Sequence, residues 1–314
     1  MEKKLHLYNS KSDYLNEKDS FTPIYNVSYV IDTDEVLYNY VSGQGDTPIV
    51  FADSEVKRLC VENWGSNGEI TYNQAAAVTD IGTVFSGNVA ITSFDELQYF
   101  TGLQEISRSA FKSCYILTSI TIPNSITTID TEALASCSSL TSVTIPDGVT
   151  TIGHSAFASC LRLKSITIPD SVTTIGGFAF YNCQNITSIT IPNGVTTIGS
   201  SLFSNCPSLT SVTIPNSVTT IGEGAFASCS SLTSVTIPDN VTTIGANVFN
   251  RCSGLTSITS YAVTAPTIGN KTFRSVPTDG KLYIPANATG YNVWMKTDNY
   301  YLGLYNWTLS SYTS

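Results

Sequence analysis

Along the middle of the chain, one pattern of apolar and polar positions returns every 23 residues. The stretch from Cys137 to Ile152 reads CSSLTSVTIPDGVTTI, and nearly the same letters recur in each following unit. Cys114, Cys137, Cys160, Cys183, Cys206, Cys229 and Cys252 form one column, and Pro123, Pro146, Pro169, Pro192, Pro215 and Pro238 form another. A fixed period of about 20–50 residues marks a solenoid, because one such unit cannot bury its own apolar side and must stack on its neighbours. Within a unit, Leu140, Val143 and Ile145 occupy the inward positions of a strand, and the residues between them face out. Val143 and Ile166 share a column, and both are β-branched residues that suit strands. Pro146-Asp147-Gly148 predicts a turn. Val149 to Ile152 then predicts a second short extended piece, ended by Gly153. Ala156-Phe157 predicts a short helical turn that buries Phe157. The same column holds Phe180, Phe203, Phe226 and Phe249, with Leu134 as the substitute.

The ends depart from the beat. Residues 21–41 predict two strands about Asp32-Thr33-Asp34, with Val27, Tyr29 and Ile31, then Val36 and Tyr38, alternating. This hairpin, within residues 1–50, is read as an attachment segment. Residues 51–62 predict a helix capped by Asp53, with Val56, Leu59 and Cys60 on one face. The following Asn63 to Gln74 has the frame of an EF-hand loop, with Gly68 and Ile70 in place. The carboxylates that calcium requires are replaced by Asn63, Gly65, Asn67 and Gln74, which predicts a structural turn instead. Phe94, Leu97 and Phe100 predict a helical stripe. Residues 51–105 therefore read as a helical cap, residues 106–260 as the repeat array, and residues 261–314 as an irregular C-terminal cap. Terminal units of a solenoid are expected to be irregular because they close the stack. The tail is rich in aromatics: Tyr291, Trp294, Tyr300, Tyr301, Tyr305 and Trp307. These predict a hydrophobic plug, with Trp294 and Trp307 also candidates for stacking on a ligand.

Composition narrows the functions. Charged residues are 12% of the chain against 42% hydrophobic, below the roughly 25% charged of ordinary soluble domains. The surface is thus polar but mostly neutral, built from Ser and Thr. The net charge of −9 resides in residues 1–100, which hold 15 acids and 6 bases. With no basic patch, nucleic acid is not an expected partner. No apolar run approaches the ~20 residues of a membrane span, so no membrane insertion is expected. The first twenty residues contain lysines but no apolar core of a secretory leader, which leaves the export route unassigned. The cysteine column predicts a ladder of buried thiols acting as small apolar side chains. It contains no CxxC pair and no histidine partner, so no metal or other cofactor is expected. The two histidines, His6 and His154, lie in separate regions, and His154 occupies a variable outward slot. Neither this nor any phosphate loop predicts an enzyme.

The unit LTSVTIPDGVTTIG-x-x-AF-x-x-C resembles the BspA-type leucine-rich repeat, named after a Bacteroides surface protein. The resemblance implies a mainly β, leucine-rich-repeat solenoid with short helical turns, here with a small α/β N-terminal head. It also implies a non-enzymatic adhesion or recognition protein, exposed at a cell surface and binding host or bacterial protein or glycan. The alternative is a structural phage virion or tail-associated protein, whose head docks in an assembly and whose repeats are displayed. A third reading is a passive, water-ordering surface. The candidate ligand-binding surface comprises Ser142, Thr144, Ser165, Thr167, Ser188, Thr190, Ser211 and Thr213 on the strands, Arg162 and Lys164 as the charged spot, and Trp294 and Trp307 in the tail. Specificity is expected where units deviate, at His154, Arg162, Lys164 and Glu223.

Overall fold

A computed structural model describes residues 45–312, and the backbone of three short strands before them. Those three, Leu7–Tyr8, Ser28–Ile31 and Leu37–Tyr40, pair antiparallel, with Ile31 opposite Leu37. The second and third form the hairpin expected over 21–41. Its turn, Asp32-Thr33-Asp34, lies outside the described residues.

From there the chain winds as a parallel β-solenoid. Each unit contributes two short strands to two separate parallel ladders. In the first, Ser188–Thr190 pairs with Ser211–Thr213, and Ser234–Ile237 with Ser257–Ser260. In the second, Thr151–Ile152 pairs with Thr174–Ile175, and Thr197–Ile198 with Thr220–Ile221. Each pairing joins a residue to its counterpart one unit on, so every column of the sequence becomes a line of touching residues. Parallel pairing also runs past both ends of the 106–260 stretch. Ser93 pairs with Ser119 before it, and Ser257, Lys281 and Thr308 lie in successive register after it.

The inside of the coil is a set of ladders. Phe157 and Phe180 stack with ring centroids 5.6 Å apart and planes 2° from parallel. The stack continues through Phe203, Phe226, Phe249 and Phe273, all fully buried. Leu134 interrupts the rings in the coil before Phe157, and beyond it Phe85 stacks on Phe111 at 5.3 Å. Coils this close leave no room for a side chain where backbone meets backbone. A Cβ on Gly176 would stand 2.5 Å from the His154 nitrogen and 2.7 Å from the Gly153 carbonyl carbon. The Gly176 N–H also bonds to the Ile152 carbonyl of the preceding coil at 2.8 Å, so the two cannot simply part. Gly176→Val is therefore expected to lower stability by about 3 kcal/mol, the upper end of typical overpacking costs, read as a lower urea midpoint at constant m.

Where the sequence predicts a helical turn at Ala156-Phe157, the chain instead runs as consecutive tight turns. Ala156, Ala158 and Cys160 donate their N–H groups to Gly153, Ser155 and Phe157 in their own coil. The alternating residues Ser155, Phe157 and Ser159 donate to Gly177, Ala179 and Tyr181 of the next coil. A helix would direct all its amides along its own axis. This turn ribbon keeps half of them for tying coils together. Two residues per coil pay for it with left-handed backbone: Ser155 at φ 55° and Ser159 at φ 60°, with Phe178 and Asn182, then Ser201 and Asn205, in the same columns.

Two helices precede the first coils on the N-terminal side. Helix α1, Ser54–Trp64, begins at Asp53, whose carboxylate accepts from the Glu55 and Val56 amides. Its other oxygen accepts from the amide and hydroxyl of Thr92, each at 2.7 Å. Burial alone would push the Asp53 carboxyl up, but these bonds from Thr92, Val56 and Glu55 outweigh it and hold it below the usual range. Val56 and Cys60 are buried, and Leu59 packs against the core beside them. Phe94, Leu97 and Phe100 are all buried as well, but on a short strand followed by a 3-10 turn, Asp95–Tyr99, rather than on an α-helix. Among the described residues, no helix is long and apolar enough to cross a membrane.

Candidate functional site

The outward face of the first ladder is the most regular surface of the molecule. Alternation along each strand places Ser142, Thr144, Ser165, Thr167, Ser188, Thr190, Ser211 and Thr213 outside, and all eight are exposed. Side chains two apart on a strand stand roughly 7 Å apart, and neighbouring strands about 4.8 Å apart, so the hydroxyls form a near-rectangular lattice. Cross-strand bonding within a Ser/Thr ladder is the ordinary expectation. The structure has it only at the margins. Thr210 and Thr256 donate to the carbonyls of Thr187 and Thr233, and in the second ladder Thr150 donates to Thr127. At the N-terminal edge, Asp95 accepts from Ser119 at 3.0 Å and Thr121 at 3.1 Å. Among the described residues, none of the eight lattice hydroxyls has a hydrogen-bond partner in the chain. They are left to water, and so to any ligand that can displace it.

Arg162 and Lys164 flank this lattice, exposed and, among the described residues, without an ion-pair partner. Lys164 interrupts a column of threonines, and its amide bonds to the Thr141 carbonyl at 3.2 Å, so the charge stands on the rim of the strand. The two tail residues do not join them. Trp294 is 0% and Trp307 4% exposed. Their indole N–H groups donate to the carbonyls of Pro266 and Pro277, and Trp294 lies against Phe273 at the end of the Phe stack. As ligand-stacking candidates they are corrected to parts of the plug, since a buried indole with a satisfied N–H presents neither face nor donor.

The cysteines are all free and buried. They do more than fill space. Each thiol of the column donates to a carbonyl in the preceding coil, as Cys183 does to Phe157 at 3.2 Å and Cys206 to Phe180 at 3.2 Å. Burial pushes the thiols of Cys114, Cys206 and Cys252 up to about 12, and the others higher still. Burial of this kind keeps the thiols protonated at neutral pH.

The EF-hand frame also resolves into ordinary geometry. Asn63 and Trp64 still belong to α1, and the chain reverses at Asn67-Gly68, both left-handed at φ 52° and 79°. Ser66 and Glu69 exchange backbone hydrogen bonds across this two-residue turn. An Asn-Gly pair is the favoured filling for such a turn. Helix α2, Tyr72–Ala77, then starts with a capping box between Thr71 and Gln74, so the last loop position is occupied in capping.

His154 is exposed, with Nδ1 2.9 Å from the Ser155 hydroxyl. Among the described residues no carboxylate partner accompanies it. Instead Phe178 lies beside it with ring centroids 5.3 Å apart, and Tyr181 meets Phe178 at 5.8 Å. Phe178 and Tyr181 carry no signal in the repeat consensus. They are found only by noticing that two variable slots hold rings one unit after His154.

Two parallel ladders, an internal Phe stack and an outward polar strand face define a leucine-rich-repeat solenoid. The chain belongs to the BspA type leucine rich repeat family, which it matches in six copies across residues 76–176 and 150–279. No curated protein matches it. Among solved structures, a leucine rich repeat protein of T. pallidum is 24% identical with a TM-score of 0.47, over 68% of this chain and 91% of that one. A leucine rich cell surface protein of Faecalibacterium prausnitzii A2-165 is 25% identical with a TM-score of 0.48, over 87% of this chain and 72% of that one. A leucine-rich repeat protein of Bacteroides ovatus ATCC 8483 is 24% identical with a TM-score of 0.40, over 76% of each chain.

Proposed function

We propose that the protein is a non-enzymatic adhesion or recognition module, exposed at a surface, whose strand face binds a protein or glycan on another cell. The observation that carries this reading is the lattice of exposed hydroxyls without internal partners. A surface meant only to be inert gains nothing from leaving its donors and acceptors in register and unpaired. A ligand with regularly spaced polar groups can replace the bound water at many points at once, so individually weak bonds add along a rigid scaffold. Arg162 and Lys164 supply a local preference for an acidic group at one edge of the ligand. Membership of a family named for a bacterial surface protein supports a location facing outward. The test is binding of the full chain to an immobilised panel of glycans and extracellular-matrix proteins. Ser188→Arg with Ser211→Arg places two bulky charges at the centre of the lattice without touching the core. It is expected to abolish the strongest panel signal while leaving the melting temperature unchanged. Retained binding in this variant would remove the strand face from the account.

A further inference from the structure

A second surface lies on the turn ribbon, away from the strand lattice. There His154, Phe178 and Tyr181 come together from three different columns of the repeat. In their own columns the other units carry small or polar residues: Gly177 and Ser200 beside His154, Ser155 and Ser201 beside Phe178, Ala158 and Ser204 beside Tyr181. The rings form a connected set across two coils, His154 to Phe178 at 5.3 Å and Phe178 to Tyr181 at 5.8 Å. Phe178 stands at a backbone position that disfavours it. Its backbone is left-handed at φ 59°, a conformation disfavoured by roughly 1–2 kcal/mol for residues with a Cβ and rarest for bulky ones. It is not in the core stack either, which passes through Phe180. Tyr181 is 36% exposed.

Beside the rings runs a row of amides. Asn205 donates to Asn182 Oδ1 at 2.5 Å, Gln184 donates to the same oxygen at 3.1 Å, and Asn182 donates to the Ser159 hydroxyl at 3.2 Å. This leaves the Asn205 and Gln184 side-chain oxygens without a partner among the described residues. The coil that carries the rings is itself uncharged: between Asp170 and Glu223 the chain has no Asp, Glu, Lys or Arg, and the nearest charge in the coil before is Arg162, in the column of Asn185. Aromatic faces next to fixed amides, on an uncharged coil, match one ligand chemistry well. A sugar ring has an apolar C–H face that lies on an aromatic ring and a rim of hydroxyls that bond to amides, and a neutral sugar asks for no counter-charge.

We infer that the turn ribbon carries a binding site for neutral saccharides, with Phe178 and Tyr181 as the platform and Asn182, Gln184 and Asn205 as the polar rim. This site uses none of the strand-face residues and stands whether or not that face binds. The test is saturation-transfer NMR on the full chain with cellotetraose, mannotetraose and chitotetraose, and with tetragalacturonate as a charged control. At least one neutral saccharide is expected to bind, with at least tenfold weakening in both Phe178→Gly and Tyr181→Ala. Phe178→Gly is expected to fold with an unchanged or higher melting temperature, because Gly224 already fills this column with φ 62°. Tyr181→Ala makes no backbone demand and keeps the test valid if Phe178→Gly melts lower. Ser188→Arg with Ser211→Arg should bind these saccharides as the unaltered chain does. Absence of binding by all three neutral saccharides, or equal binding by both ring variants, overturns the site. So does ring-dependent dimerisation in light scattering without saccharide binding, which would assign the rings to a second copy of the chain.

Discussion

Phe203→Ala is expected to lower the unfolding free energy by about 3–5 kcal/mol. Phe203 is fully buried and lies 5.6 Å from Phe180 on one side and 5.6 Å from Phe226 on the other. Removing the ring leaves a gap bounded by two other rings, and the gap cannot close. The separation of the coils is set by backbone bonds, including Phe203 N–H to the Ala225 carbonyl at 2.8 Å. A site that cannot collapse bears the full cavity cost. Because stability in a solenoid is transmitted only between neighbours, the damage should also weaken the coupling of the two halves of the array. Urea unfolding is then expected to show both a lower midpoint and a reduced m, as the transition ceases to be all-or-none. Phe203→Leu should cost much less, since Leu134 already serves the same column. A loss below about 1 kcal/mol for the alanine variant would mean that the stack is not continuous.

Alkaline pH is expected to unfold the chain sharply, through the cysteines. All eight are free and buried, and burial holds their folded pKa values well above the ordinary thiol range, at about 12 for Cys114, Cys206 and Cys252. In the unfolded chain each thiol ionises near about pH 8.5. A folded pKa above the unfolded one stabilises fully below the unfolded value, and this contribution is lost as pH rises toward the folded value. Above about pH 9 each thiol removes roughly 1.4 kcal/mol per pH unit, and eight thiols act together. The urea midpoint should therefore stay nearly level from about pH 6 to 8 and fall steeply between about pH 8.5 and 10. Cys183→Ala with Cys206→Ala should be less stable at pH 7, because two carbonyls lose a donor, yet its alkaline slope should be about a quarter shallower. A midpoint that stays level up to about pH 10 would show that the thiols are reachable by water.

Much of this architecture can be read from the letters, because a repeat converts sequence columns directly into spatial ladders. The Phe stack, the cysteine column, the strand at Ser142–Thr144 and the turn at Pro146-Asp147-Gly148 need only the period and ordinary residue preferences. The turn ribbon is less legible. Its left-handed positions carry Ser, Asn and even Glu132 and Phe178 instead of Gly, so the usual marker is missing. Forward bonding to the next coil holds them there, a tertiary constraint that overrides local preference. At Asn63 to Gln74 the missing carboxylates make the structural turn legible, and Asn67-Gly68 marks where the chain reverses. The tail sets its strand 24 residues after the previous one instead of 23, pairing Ser257 with Lys281, which hides the continuing ladder from a search at constant period. Strand-face exposure follows from alternation alone. The absence of internal bonds there depends on side-chain geometry that no pattern encodes. The ring cluster likewise needs three columns to be viewed side by side.

The measurement that tests the strand-face account most directly is methyl NMR of threonine-labelled full chain with the strongest-binding member of the glycan and matrix-protein panel. Threonines mark both ladders separately: Thr144, Thr167, Thr190 and Thr213 on the strand face, and Thr150, Thr173, Thr196 and Thr219 on the second. Added ligand is predicted to shift the first set together and leave the second unmoved. Shifts confined to the second set, the cap or the tail would contradict it.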